Sequence, residues 1–221
     1  MPQPFLKNME NKAIIQSRAI IRNGRASKDN VLVAENLLNP EIETFASEIY
    51  KSLGLTYSKF FKMDNLSKLA FLSAEILFKG EELKDREKTG IFIANSSSSL
   101  DTDRKYAATM SDSGNYFPSP SLFVYTLPNI MMGELSIRHK ITGENAFFIF
   151  QEFEFAFVCD YVNLLFELNK IRSCMVGWVD VNGLDYESFL FHISLSPANS
   201  IQEKFFTSEN LKQEYEYGRN N

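Results

Sequence analysis

The stretch Thr142–Phe157, "TGENAFFIFQEFEFAF", decides how the rest of the chain is read. Ala146–Phe150 is an apolar run of strand length. From about Glu152 to Asn169, Phe153, Phe155, Ala156, Phe157, Val158, Tyr161, Val162, Leu164, Leu165, Phe166 and Leu168 cover nearly the whole circumference of a helix. The stretch therefore predicts a buried strand that turns into a buried helix, with Gln151 and Glu152 at the junction. Glu154 fits the helix's first turn, where the macrodipole favours a carboxylate. Gln151 and Glu152 have no such local explanation.

Outward from this junction, strands alternate with helices. "KAIIQSRAIIRNG" (12–24) reads as a strand or hairpin ending in Asn23-Gly24. "NPEIETFASEIYKSLG" (39–54) is bounded by Asn39-Pro40 and Gly54 and predicts a helix. In "MDNLSKLAFLSAEILFKG" (63–80), Leu66, Leu69, Ala70, Leu72, Ser73 and Ile76 share helical spacing between Asp64 as N-cap and Gly80 as C-cap. "TGIFIANSSSS" (89–99) reads as a buried strand entering a small-residue turn. "RKYAATMSDSG" (104–114) suits a helix ending near Gly114, and "NYFPSPSLFVYTLPN" (115–129), with three prolines, a structured loop. "CMVGWVDV" and "ESFLFHISLSP" are the last strands, joined at Asn182-Gly183. The pattern is that of an α/β sheet packed by helices, expected as a single domain over 1–221.

Composition narrows the function. The 221 residues carry a net charge of -5, which argues against nucleic acid as a partner because no basic excess is present to neutralise phosphates. An acidic carrier protein would need a local basic patch. No apolar run reaches the length of a membrane span, and the amino-terminal residues lack a leader's basic-then-apolar pattern, so a cytoplasmic protein is expected. Cys159 and Cys174 have no metal-type spacing and read as reduced, buried packing residues. No metal site or cofactor is expected. Ser96–Ser99 lack a phosphate-loop pattern and read as a plain turn. His139, in the polar "RHK" segment, reads as solvated, and His192, alternating with Phe191 and Ile193, as structural. Asp180 and Asp185 flank a turn and read as solvated.

The segment Asn129–Asp180 resembles the β-ketoacyl-acyl carrier protein synthases. Asn129, Gly133, Leu135-Ser136-Ile137 and Gly143 fall at the spacing that precedes the family's nucleophile, with Glu144 in place of the usual proline. "KMDNLSKLAFLSAEILF", "TGIFIANSSSS" and "SPSLFVYTLPN" are similar to the family's early helix, its strand and turn, and the loop before the asparagine. The resemblance covers most of the chain but only the first half of the synthase fold. It implies a thiolase-like half-fold, a mixed sheet packed by helices with a buried central helix.

Counted from Gly143, the family's catalytic cysteine falls on Glu152, preceded by Gln151. A carboxylate cannot replace a thiolate that must both attack and leave as an acyl carrier. The resemblance places the catalytic histidines in the half not matched here. It therefore implies a chain-length-factor-type subunit that pairs with an active ketosynthase, as a heterodimer or homodimer, with an acyl carrier protein as a further partner. In the family the strand before the nucleophile pairs across the dimer two-fold, which makes Ala146, Phe147, Phe148, Ile149 and Phe150 the expected interface. Two alternatives stand beside this reading: a homodimeric module that binds an acyl chain, and a decarboxylase or acyl hydrolase using Glu152 as acid or base.

Overall fold

A computed structural model describes residues 11–38, 41–111, 117–197 and 204–217. One seven-stranded mixed sheet organises them: β1 (Asn11–Arg22), β2 (Arg25–Lys28), β3 (Val31–Glu35), β4 (Thr89–Asn95), β5 (Asn145–Ile149), β6 (Ser173–Asn182) and β7 (Asp185–Pro197). Their order is β3-β2-β1-β7-β6-β4-β5. β4 is parallel to both β5 and β6, and the remaining pairs are antiparallel.

Helices cover both faces. On one lie α1 (Ile42–Ser52), α2 (Asn65–Leu77) and α5 (Ile130–His139), whose apolar side chains meet Ile91, Ile93, Val179 and Leu190 of the sheet. On the other lie α6 (Phe155–Glu167) and α7 (Ser208–Tyr217), packed over Phe92, Val176, Phe189 and Phe191. Strand alternation assigns each residue its face: Phe147 joins the α2 side, whereas Ala146, Phe148 and Phe150 join the α6 side. α3 (Leu100–Ala108) and α4 (Pro120–Val124) connect β4 to α5.

Local chemistry set α2 as expected. The Asp64 carboxylate accepts from the Ser67 backbone N–H at 2.9 Å, and Gly80 takes a positive φ of 78° just beyond the helix end. α2 is buried on nearly every side, including Ser73, whose hydroxyl bonds that of Ser188 at 2.7 Å. Glycine is required at Gly143, where a Cβ would lie 2.3 Å from the Thr89 carbonyl oxygen. That close approach brings the segment before β5 against the start of β4, where Ile91 N–H donates to the Glu144 carbonyl. Gly133, in the same resemblance motif, has open space around it.

Several expectations change. The prolines of 115–129 do not leave a loop throughout, because Pro120 opens α4 and Ser119 caps it through the Leu122 N–H. α3 begins at Leu100 and ends at Ala108, earlier than expected at both ends, while Gly114 lies outside the described residues, as do Asn39 and Pro40. α6 begins at Phe155, three residues later than the pattern predicts. Phe153 is drawn into the core instead, 5.0 Å from the Phe189 ring and 6.2 Å from Trp178. Glu154 is thereby the exposed N-cap residue rather than part of the first turn.

Candidate functional site

β4, β5 and β6 run parallel, and their carboxyl ends share one edge of the sheet, the place where open α/β sheets hold ligands. Three segments meet there: the Ser96–Ser99 turn after β4, the Gln151–Glu154 bend after β5, and Asp180 near the end of β6. Phe150 N–H donates to the Asn95 carbonyl at 3.0 Å and fixes the bend against the turn.

Two amides of the serine turn are occupied from within. Ser97 N–H donates to Asp180 Oδ1 at 2.9 Å, and Ser96 and Ser97 hydroxyls donate to Asp180 Oδ2 at 2.8 and 3.1 Å. Ser98, at a φ of 52°, donates its N–H to Asn95 Oδ1. Asp180 thus fills the anion position of this turn and is half-buried, contrary to the solvated reading. Asp185 is exposed as expected. Beside the turn lies an open groove of about 630 Å³, with Trp178 and Tyr186 in its walls and Glu41, Asp180, Asp185 and Glu187 along it. Four carboxylates suit neither an apolar acyl chain nor an anionic one.

Gln151 and Glu152 are both exposed in the bend. Neither side chain makes a hydrogen bond or ion pair among the described residues. The two cysteines and two histidines lie elsewhere. Cys159 and Cys174 are buried between α6 and the sheet, and burial pushes both thiols up, Cys159 to about 12. His192 is level with Ile91 across β6, four residues short of the Asn95 end of β4, or about 13 Å at strand rise.

Both histidines flank the ring of Phe78, at 5.2 Å for His139 and 5.3 Å for His192. His192 Nδ1 lies 2.8 Å from Glu81 Oε2, and this bond, with that from Lys28, outweighs burial and holds the Glu81 carboxyl down at about 2. His139 is largely buried beside Glu75 and Arg138, and desolvation lowers it to about 4. The polar neighbours of His139 in sequence point away from this burial, which arises only when α5 packs on α2. Among the described residues no group of three or more His, Cys, Asp or Glu is placed to hold a metal ion, and no helix is long and apolar enough to cross a membrane.

β5 is an edge strand, half-buried rather than deeply buried. Ala146, Phe147, Phe148 and Phe150 are each partly covered, and Ile149 is 56% exposed. Phe148 and Phe150 stack at 5.7 Å, and Phe157 stands edge-on to both. The helix behind them is covered by the sheet and α7 on the side of Val158, Cys159, Val162 and Phe166, and open on the other.

The fold recurs in solved structures. The ishigamide ketosynthase/chain length factor matches with a TM-score of 0.61 at 14% identity, over 86% of this chain and 63% of that one. The fold is the thiolase-like fold of the ketosynthases. A ketosynthase in complex with its chain length factor from Xenorhabdus doucetiae matches at 0.58 and 10% identity, over 95% of this chain and 91% of the other. A type II polyketide synthase ketosynthase in complex with its acyl-carrier protein matches at 0.57 and 10% identity, over 84% and 63%. The chain spans about three fifths of the first and third of these and nine tenths of the second. No family model and no curated protein matches the sequence. In this ketosynthase-like fold, the Gln151–Glu152 bend follows the edge strand and precedes the helix packed on the sheet, the order read from the sequence.

Proposed function

We infer that this chain is a non-catalytic ketosynthase-like subunit that associates with an active ketosynthase in fatty-acid, polyketide or aryl-polyene-type assembly. One observation carries the reading: the bend between β5 and α6, where the resemblance puts a nucleophile, holds an exposed Glu152 with no thiol or histidine beside it. Claisen condensation needs a thiolate and a base within hydrogen-bond reach of the reacting atoms. The two thiols are buried, His192 is bonded to Glu81, and His139 is buried and neutral beside Glu75, both against Phe78.

The partner role is supported by the likeness to chains from ketosynthase–chain length factor complexes, one of them matched over nine tenths of its length. The half-covered edge strand Ala146–Phe150 supplies unpaired backbone groups on its outer side, the means by which one sheet extends into another. Co-expression with ketosynthases, followed by size-exclusion chromatography, tests the reading. A stable stoichiometric complex is expected, and a chain that stays apart from every ketosynthase encoded beside it overturns it. Decarboxylation of a malonyl-carrier substrate by the complex is expected to be unchanged by Glu152→Ala. Loss of that activity would favour the alternative in which Glu152 is an acid or base.

A further inference from the structure

The open side of α6 carries a regular stripe. Phe157, Tyr161, Leu164 and Leu168 follow one another at intervals of four, three and four residues, the a/d spacing of a coiled-coil seam. Three of them are strongly exposed, Phe157 at 47%, Leu164 at 50% and Leu168 at 58%, and Tyr161 is half-buried. The opposite side, Val158, Cys159, Val162 and Phe166, makes the main contact with the sheet; of the stripe, Tyr161 also packs on Phe92 and Phe148, while Leu164 and Leu168 stay outside the core. On one flank it merges with the stacked rings of Phe148 and Phe150 on β5 through Phe157. On the other flank stand the exposed carboxylates of Asp160 and Glu167. α6 contains no lysine or arginine at all.

We propose that this stripe seats an apolar helix from a different chain, one whose flanking positions are basic. The spacing fixes the kind of element: side chains at a/d intervals interdigitate with another helix crossing at a shallow angle, not with a strand or a loop. The charge fixes which helix. A second copy of α6 would set Asp160 and Glu167 against the same carboxylates when antiparallel and against the flank of Phe148 and Phe150 when parallel, in neither case against a lysine or arginine of α6, which specifies against that pairing. A helix with lysine or arginine at those positions gains what a second copy loses. The continuity of the stripe with β5 lets one partner cover both the strand edge and the helix. The inference rests on the partner reading above for the source of that helix, but not for its chemistry.

Synthetic helical peptides test the seam without any ketosynthase. The probe is a peptide of about three heptads with leucine at a and d and lysine at e and g, compared with one carrying glutamate at e and g. Binding to the full chain is read by fluorescence anisotropy. The lysine peptide is expected to bind roughly tenfold or more tightly than the glutamate peptide, and the preference is expected to shrink with added salt. Leu164→Glu with Leu168→Glu, both at exposed positions, abolishes binding while the circular dichroism spectrum is retained. Asp160→Lys with Glu167→Lys inverts the preference and keeps the leucine stripe, which guards against a variant that merely misfolds. Equal binding of the two peptides, or binding to neither, overturns the proposal. So does a wild-type dimer in sedimentation that Leu164→Glu dissociates, because the occupant is then a second copy. A ketosynthase that co-purifies while neither peptide binds leaves the partner reading standing and removes this one.

Discussion

Asp180 Oδ1 accepts the backbone N–H of Ser97 at 2.9 Å and so ties the end of β6 to the turn after β4. With Oδ2 taking the Ser96 and Ser97 hydroxyls, one side chain satisfies three donors from a neighbouring strand's turn. Asp180→Ala leaves these donors without their acceptor at a half-buried site. Charge-assisted bonds of this kind contribute about 1.5–3 kcal/mol, and water can replace part of it here, so a loss of about 1–2 kcal/mol is expected. Urea denaturation measures it, and a variant as stable as the wild type would show that the tie contributes nothing.

The two flanks of Phe78 contribute to acid stability. His139 has a folded-state value of about 4 against 6.5 unfolded, so the unfolded chain takes up the proton first. Its contribution is complete above about pH 6.5 and is lost as pH falls towards 4, on the order of 3 kcal/mol in all. Glu81, held at about 2 against 4.5, likewise stabilises the fold above pH 4.5 and loses that contribution as pH falls towards 2. His139→Gln is expected to flatten the fall in unfolding free energy between pH 6.5 and 4 and to leave the steeper loss below pH 4.5. An unchanged slope in the upper window would remove His139 as its source.

How far the sequence foretells this molecule depends on whether the deciding contact is local. α2 is legible because Asp64 and Ser67, three residues apart, make its cap, and its apolar positions follow one period. The start of α6 is not, because Phe153 leaves the helical pattern for Phe189, which belongs to another strand. The insertion of β1 between β2 and β7 depends on pairing across most of the chain and has no local signal. At the site, the order of strand, bend and helix around Gln151 and Glu152 is legible. The occupation of the serine turn by Asp180 is not, since the two lie more than eighty residues apart.

Two glycines of the resemblance motif should respond in opposite ways. Gly143→Ala drives a Cβ to 2.3 Å from the Thr89 carbonyl, and since that neighbour is backbone, β4 or the approach to β5 must shift. A loss of about 1–3 kcal/mol is expected. Gly133→Ala in the exposed side of α5 meets nothing within 4 Å and is expected to stabilise by about 0.5–1 kcal/mol. Thermal unfolding of the two variants separates a glycine needed for close approach from one that is not.

The outer edge of β5 offers the sharpest test of pairing. Phe150 N–H points inward to Asn95, and Glu144 offers its carbonyl inward to Ile91. In a parallel ladder alternate residues face the same neighbour, so Ala146 and Phe148 also point inward and Phe147 and Ile149 point outward. Ile149→Pro therefore removes an outward donor and leaves the β4–β5 bonds in place, as edge positions tolerate. Ile149→Thr keeps the donor and the β-branched shape. If the partner adds a strand to this edge, the proline variant should remain folded by circular dichroism and lose the ketosynthase complex, whereas the threonine variant should keep it. Equal retention by both would show that β5 pairs with no strand, and would leave the side chains of Phe148 and Phe150 as the edge's contribution to any interface.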